Sequence, residues 1–337
     1  MLKRLFWLLL NIGISVFFIW LAVRGIDFDE LTKSFWGVSI GFVFFSVALN
    51  LFSCWLRALR WQYLLLPIKK IRTSNVFSAL MIGFMVNNVL PFRLGEFVRG
   101  YALKQSDNIS FSASIGTVVV ERIIDVLTLL MIFGFILLLF PFPEWVKNGS
   151  VLVAAIVAVS IFILFMLVKR TDWTLKLVHR SVSFFSVTLA YKIDKIVKSF
   201  IEGVSFLHSA KSYVIITVLS VVIWGTYIYV MYAMFYAVHF ELLYQLDMLG
   251  ATVVMVFTSF AIMIPAAPGY VGTFHEIAKQ SLMLLNVDKE HALGFAIIFH
   301  ASHYISVTGI GFIYFFKNRL KLKDALHSAD AAEQPIN

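Results

Sequence analysis

Eight apolar runs punctuate the chain, near residues 5–23, 38–56, 74–92, 113–139, 150–168, 213–237, 248–264 and 292–316. At about 1.5 Å per residue, a run of roughly twenty residues crosses a hydrocarbon core of about 30 Å as a helix. The ten-residue alternation that marks a membrane β-barrel does not appear. The pattern therefore predicts an all-α, polytopic transmembrane helical bundle. Two runs finish unlike ordinary spans. The run at 74–92 passes into NNVLPFRLGEFVR (87–99), and the run at 248–264 passes into IPAAPGYVGTFHE (264–276). Each places proline, glycine and an acid where a crossing should end.

Charge placement sharpens the topology. Loop 57–73 carries Arg57, Arg60, Lys69, Lys70 and Arg72 with no acid, and segment 169–212 carries eight basic residues against three acids. Both read as cytoplasmic by the bias of Lys and Arg toward that side. Three crossings between them would put them on opposite sides, so one run should enter and return. Pro91 and Gly95 make 74–92 that run, with arms at 74–89 and 94–104, each too short to span. The basic tail 317–323 and the external loop 238–247, with Glu241 and Asp247 and no Lys or Arg, repeat the difficulty. A second hairpin resolves it, with arms at 248–264 and 270–285 and an external loop at 286–291. The expected architecture is six full spans plus two oppositely oriented re-entrant hairpins. Both termini are cytoplasmic, and the order suits an inverted repeat.

Composition agrees. The chain of 337 residues is 60% hydrophobic and 14% charged, too little polar surface for a soluble domain. Its net charge of +9 collects in short loops, which speaks for orientation rather than nucleic acid. The run at 5–23 outlasts a signal-peptide core and lacks a small-x-small site, so it reads as a retained span. Cys54 is the single cysteine, which excludes an intrachain disulfide. Residues 1–323 read as one transmembrane domain. Within it, 171–212 carries an apolar stripe of helical period flanked by lysines, read as a cytoplasmic interfacial segment; the alternative is a partner-docking helix pair. Residues 324–337 read as a disordered cytoplasmic tail.

Three constellations carry chemistry. In the first, Asn87, Asn88, Pro91, Arg93, Gly95, Glu96 and Arg99 follow a helix break. Three ionised groups at roughly 2.5–3.5 kcal/mol each are too costly for a lipid-facing segment, so they are paired or hydrated. Guanidinium forks such as Arg93 and Arg99 suit phosphate, and Glu96 would balance them in an empty site. The rival is an interfacial helix whose charges snorkel. The second, ERIIDVL, sets Glu121 and Asp125 on one helix face with Arg122 three residues before Asp125. Asp125, apolar on both sides, is expected to face the interior and meet an arginine of the first hairpin. Alternatively, all three lie at or just below the cytoplasmic headgroups. The third, around Pro265, Pro268, Gly269, Gly272 and Glu276, ends one helix and starts another whose free N–H groups attract an anion. An ordinary external turn is its rival.

Weaker signals point elsewhere. His300 and His303 are three apart, but packing or hydrogen bonding between helices explains them better than a metal. Asp27 and Asp29 form the DxD seen in membrane glycosyltransferases, on a loop too short to hold a sugar donor. GxxxxGK[ST], HExxH and GxSxG are absent from the sequence, so no catalytic motif, cofactor or metal is called for.

With NNVLPFRLGEFVRGYAL (87–103), ERIIDVL (121–127) and PAAPGYVGTFHE (265–276) in that order, the chain resembles the flippase-like family of the lysylphosphatidylglycerol synthase transmembrane region. Tyr270 stands where that family often has a second glycine. The resemblance implies an integral membrane protein that moves, or helps to move, lipids between leaflets. It gives the motif positions to Asn88, Pro91, Arg93, Gly95, Glu96, Arg99, Glu121, Arg122, Asp125, Pro268, Gly269, Gly272 and Glu276. Aminoacyl-transferring relatives carry a soluble synthase domain after this region; the chain ends at Asn337, so lysyl transfer is not implied. The expectation is a translocase of anionic or polyprenyl-phosphate lipids in the prokaryotic cell (inner) membrane, with Asp125 or Glu276 as carrier of a coupling proton. A second copy of the chain or a lipid-modifying enzyme would be its protein partner. The rival functions are an intramembrane enzyme using Glu96, Asp125 or Glu276 as acid–base groups, and an accessory subunit of a lipid-modifying complex.

Overall fold

The computed structural model describes residues 2–90, 93–144, 210–263 and 268–320, with a few isolated positions between 146 and 183. Nearly all of the run at 150–168 and of the interfacial segment, and the tail 324–337, fall outside the described residues. Regular structure among the described residues is entirely helical: α1 Leu2–Val23, α2 Phe28–Lys33, α3 Ile40–Leu65, α4 Thr73–Val89, α5 Gly95–Asp107 and α6 Phe111–Leu139. After the gap come α7 Ala210–Ala237, α8 Phe240–Leu243, α9 Met248–Met263, a 3-10 turn at Pro268–Tyr270, α10 Thr273–Met283 and α11 Lys289–Lys317.

Four of these are long and apolar enough to cross a membrane: Ile40–Leu65, Phe111–Leu139, Ser212–Ala237 and Lys289–Lys317. Gly13–Val23 and Met248–Met263 are shorter apolar stretches. On α6, Met131, Phe135 and Leu138 recur at helical spacing and are exposed, Leu138 by 85%. Phe44, Phe45, Ile313 and Phe316 are exposed too. Apolar surface on this scale would drive aggregation in water and belongs in lipid. By contrast, α9 is buried at every residue from Gly250 to Val256. A helix apolar on all sides needs protein around it.

Two sequence boundaries require correction. Residues 57–65, read as the start of a cytoplasmic loop, continue α3. Arg57 and Arg60 are good helix formers whose charges are absorbed by protein partners, so they mark no loop. The guanidinium of Arg57 donates to the Tyr227 hydroxyl at 3.1 Å and lies over the Phe84 ring. At the other end, the loop read at 286–291 closes early, because α11 begins at Lys289 with Asp288 before it. The DxD acids are structural as well: Asp27 caps α2, its carboxylate accepting from the N–H groups of Asp29 and Glu30.

The chain divides into two compact units. The first comprises residues 1–58, 77–102 and 222–337; the second comprises 59–76 and 103–221. In the first, Phe235, Phe240 and Phe295 form an aromatic nucleus with centroids 5.5–6.0 Å apart. In the second, Trp61 donates to Thr117 at 2.9 Å and Asn75 donates to the Asp107 carboxylate at 3.0 Å. That last bond sets the start of α4 beside the end of α5.

Candidate functional site

The first helix break is built by side chains standing in for missing backbone partners. α4 ends at Val89, and Asn87 Oδ1 accepts from the Gly95 N–H at 2.8 Å, capping the start of α5. Gly95 lies against the Gly83 carbonyl, so closely that a methyl at Gly95 would overlap it. Only glycine permits this approach of the two arms. Between them Arg93 adopts a left-handed conformation (φ 53°), rare for a residue with a Cβ. Its guanidinium donates to the Ile262 carbonyl and lies 5.7 Å from the centre of the Tyr270 ring. Both belong to the second break.

That second break begins after Met263. Gly269 (φ 67°) and Tyr270 (φ 59°) turn the chain, and Gly272 (φ 88°) precedes α10. Gly272 faces α1, where an added methyl would lie 2.6 Å from the Ser15 carbonyl. Its N–H points to His275 Nδ1 at 3.4 Å.

One face of α11 braces both breaks. His300 Nε2–H donates to the Gly269 carbonyl at 2.8 Å, and Tyr304 donates to the Asn88 carbonyl at 3.1 Å. Thr308 accepts from Asn88 Nδ2 at 2.8 Å. These three residues are spaced by four, hence stacked on one helical stripe. Sequence reasoning noticed His300 but missed Tyr304 and Thr308. The available signal was the four-residue spacing of polar groups in an apolar helix. His303, its other singled-out histidine, bonds the Phe299 carbonyl at 2.7 Å on its own helix.

Glu276, in the first turn of α10, is buried and paired with Lys279 at 2.8 Å. Gln280 donates to its other oxygen at 2.7 Å. Lys279, also missed, donates to the carbonyls of Leu21 and Ala22 at the end of α1.

The second unit holds the ERIIDVL acids. Arg60 is fully buried; it lies 2.5 Å from Asp125, 3.6 Å from Glu121 and 3.0 Å from the Ser220 hydroxyl. Arg122 adds contacts of 3.3 Å to Glu121 and 3.8 Å to Asp125. Arg60 and Arg122 thus offset the charge of Glu121 and Asp125, which makes burial tolerable. Asp125 is buried, and its carboxylate lies 2.5 Å from Arg60 of α3. Counting Arg60 as a loop charge concealed it.

The first and third motifs thus lie in one unit and meet where Arg93 reaches Ile262 and Tyr270 and where Tyr304 lies against Asn88 and Gly269; Asn87, Gly95, Pro268, Gly272 and Glu276 belong to the same unit. Glu96 is half-buried in the first turn of α5, and Arg99 is buried with its side chain packed where Gly83 leaves room. Glu121, Arg122 and Asp125 belong to the other unit. Pro91 and Pro265 lie outside the described residues. Among the described residues no group of three or more His, Cys, Asp or Glu side chains is placed to hold a metal.

The chain is 22% identical over 315 residues to UPF0104 membrane protein MJ1595 of Methanocaldococcus jannaschii, covering 89% of this chain and 91% of that protein. It is 24% identical over 235 residues to UPF0104 membrane protein MJ1078 of the same organism, covering 68% and 93%. No solved structure matches it significantly. Residues 8–311 match the family described as the lysylphosphatidylglycerol synthase TM region, and the chain, an integral membrane protein, belongs to that family.

Proposed function

We propose that the chain is a lipid translocase that moves a phosphate-bearing lipid, anionic or of polyprenyl-phosphate type, between leaflets. The observation that carries this reading is Arg93, which leaves the first helix break to contact Ile262 and Tyr270 of the second. Broken helices survive at membrane depth only where protein or water satisfies the freed backbone. Paired breaks are also where secondary transporters hold their ligands. The family name ties this membrane region to an enzyme that makes a phospholipid.

In this reading α4–α5 and α9–α10 are re-entrant hairpins entering from opposite faces, added to six full spans in an inverted repeat. Their 17, 13, 16 and 11 residues reach about 26, 20, 24 and 17 Å, all short of about 30 Å. Both termini are cytoplasmic and the membrane is the prokaryotic cell (inner) membrane. Asn87, Asn88, Gly95, Glu96 and Arg99 form one wall of a polar groove; Pro268, Gly269, Gly272 and Glu276 form the other. Glu121, Arg122 and Asp125 form a separate ion network within the second unit.

Arg93 would hold the lipid phosphate through its planar fork. Doing so withdraws the guanidinium from the Ile262 carbonyl and loosens the contact between the breaks. A ligand shifts a conformational equilibrium only through unequal affinity for the two states, and competition for one guanidinium supplies the inequality. The tails stay in the bilayer while the headgroup passes. Reconstitution tests the reading: vesicles holding the chain should expose an anionic headgroup label faster than protein-free vesicles, and equal rates would refute it. Cysteines at positions 106 and 110 should label from the cytoplasmic side; external labelling at both would remove the first hairpin.

A further inference from the structure

Lys279 is 4% exposed, on a helix whose buried neighbours include Phe274, Ala278 and Leu282. Three oxygens surround its ammonium: the carbonyls of Leu21 and Ala22 at 2.9 Å each and Glu276 Oε2 at 2.8 Å. The second carboxylate oxygen is held by Gln280 at 2.7 Å, which fixes the orientation of the first. Leu21 and Ala22 lie in the last turn of α1, where carbonyls have no intrahelical donor and the helix carries its negative end. The flanking carbonyls find backbone donors, Trp20 from Arg24 and Val23 from Ile26. The two between them face Lys279.

This donor set is that of a cation site. Two neutral carbonyls and one carboxylate balance a single positive charge, not two. The spacing of 2.8–2.9 Å is that of an ammonium nitrogen from its oxygen partners. We infer that Leu21 O, Ala22 O and Glu276 form a monovalent-cation site that the chain fills with its own Lys279 ammonium. The junction of α1 with α10 is therefore indifferent to ambient salt, and removing the ammonium exposes a site for ammonium, potassium or sodium ions. The oxygens would bind such an ion whether or not the chain moves lipid.

The test is thermal unfolding of the purified full chain in detergent. Wild type, Lys279→Met, Lys279→Ala and Lys279→Met with Glu276→Gln are compared in ammonium, potassium or sodium chloride against choline chloride of equal ionic strength. Lys279→Met keeps the aliphatic stem and empties only the ammonium position; Lys279→Ala leaves room for methylammonium, added as a fourth probe. At least one cation should raise the midpoint of a single variant by about 4 °C, saturably, against about 1 °C or less for wild type. The double variant should lose the response. A single variant that is monodisperse only when purified with one of these cations also supports the site. Four results overturn it: no response beyond choline in either single variant, an equal response in wild type, an undiminished response in the double variant, or both single variants unfolded at every cation concentration.

Discussion

The Tyr304 hydroxyl donates to the backbone carbonyl of Asn88 at 3.1 Å, and the Tyr304 ring fills the space beside Gly269. One tyrosine of α11 therefore touches both helix breaks, with His300 one turn before it on Gly269 and Thr308 one turn after it on Asn88.

Removing that hydroxyl separates bonding from packing. Tyr304→Phe should lose about 1 kcal/mol, a midpoint fall of a few degrees, because the ring still seats against Gly269. Gly269→Ala should do more damage: its methyl would meet the Tyr304 ring at 2.5 Å on a backbone with φ of 67°. Thermal unfolding in detergent gives the order; a harsher effect from Tyr304→Phe would contradict this geometry.

The tight approach of the α4 and α5 arms makes a sharper case. At Gly95 a methyl overlaps the Gly83 carbonyl and comes within 2.7 Å of Asn87 Oδ1, whereas at Gly134 on α6 it meets nothing within 4 Å. Gly95→Ala should abolish monodisperse protein in size-exclusion chromatography and Gly134→Ala should leave the yield unchanged.

Arg60 and Asp125 offer a coupling measurement. Arg60→Met removes the cation 2.5 Å from buried Asp125 and 3.6 Å from Glu121 and should cost about 3–5 kcal/mol. Asp125→Leu alone should also destabilise, and the double variant should be less damaged than the two losses summed. The cycle should return about 0.5–3 kcal/mol of coupling; strict additivity would mean the pair is not energetically joined.

Outside the spans, Tyr244 gives a pH signature. Burial and its 2.8 Å bond to Asp288 push its phenol up to about 12, above the usual value of about 10. A pKa raised on folding stabilises fully below the unfolded value, and that contribution is lost as pH climbs through the folded one. The wild-type midpoint should therefore fall more steeply than that of Tyr244→Phe between pH 10 and 12. Parallel curves would rule out a role for this bond.

What the sequence made legible was local. Proline and glycine interrupt helices where they stand, so α4 ends at Val89 and α5 starts at Gly95, within a residue of the expected arm limits. Glycine at positive φ likewise marked the turn before α10. What stayed hidden was pairing at a distance. Arg60 reads as a loop charge until Asp125, 65 residues later, is folded against it. Lys279 has its partner Glu276 three residues away, yet its other two acceptors are backbone atoms of α1, which no residue pattern announces. Tyr304 and Thr308 act on the main chain and side chain of Asn88, again beyond the reach of local periodicity.

The proposed headgroup role of Arg93 has one direct measurement: the initial rate of headgroup exposure in proteoliposomes of anionic lipid, for wild type, Arg93→Lys and Arg93→Ala at equal reconstituted protein. Loss of a charged hydrogen bond worth about 1.5–3 kcal/mol corresponds to roughly a 10- to 100-fold loss of rate. The account predicts a fall of that size for Arg93→Ala and an intermediate rate for Arg93→Lys, which keeps the charge without the fork. A wild-type rate retained by folded Arg93→Ala would contradict it.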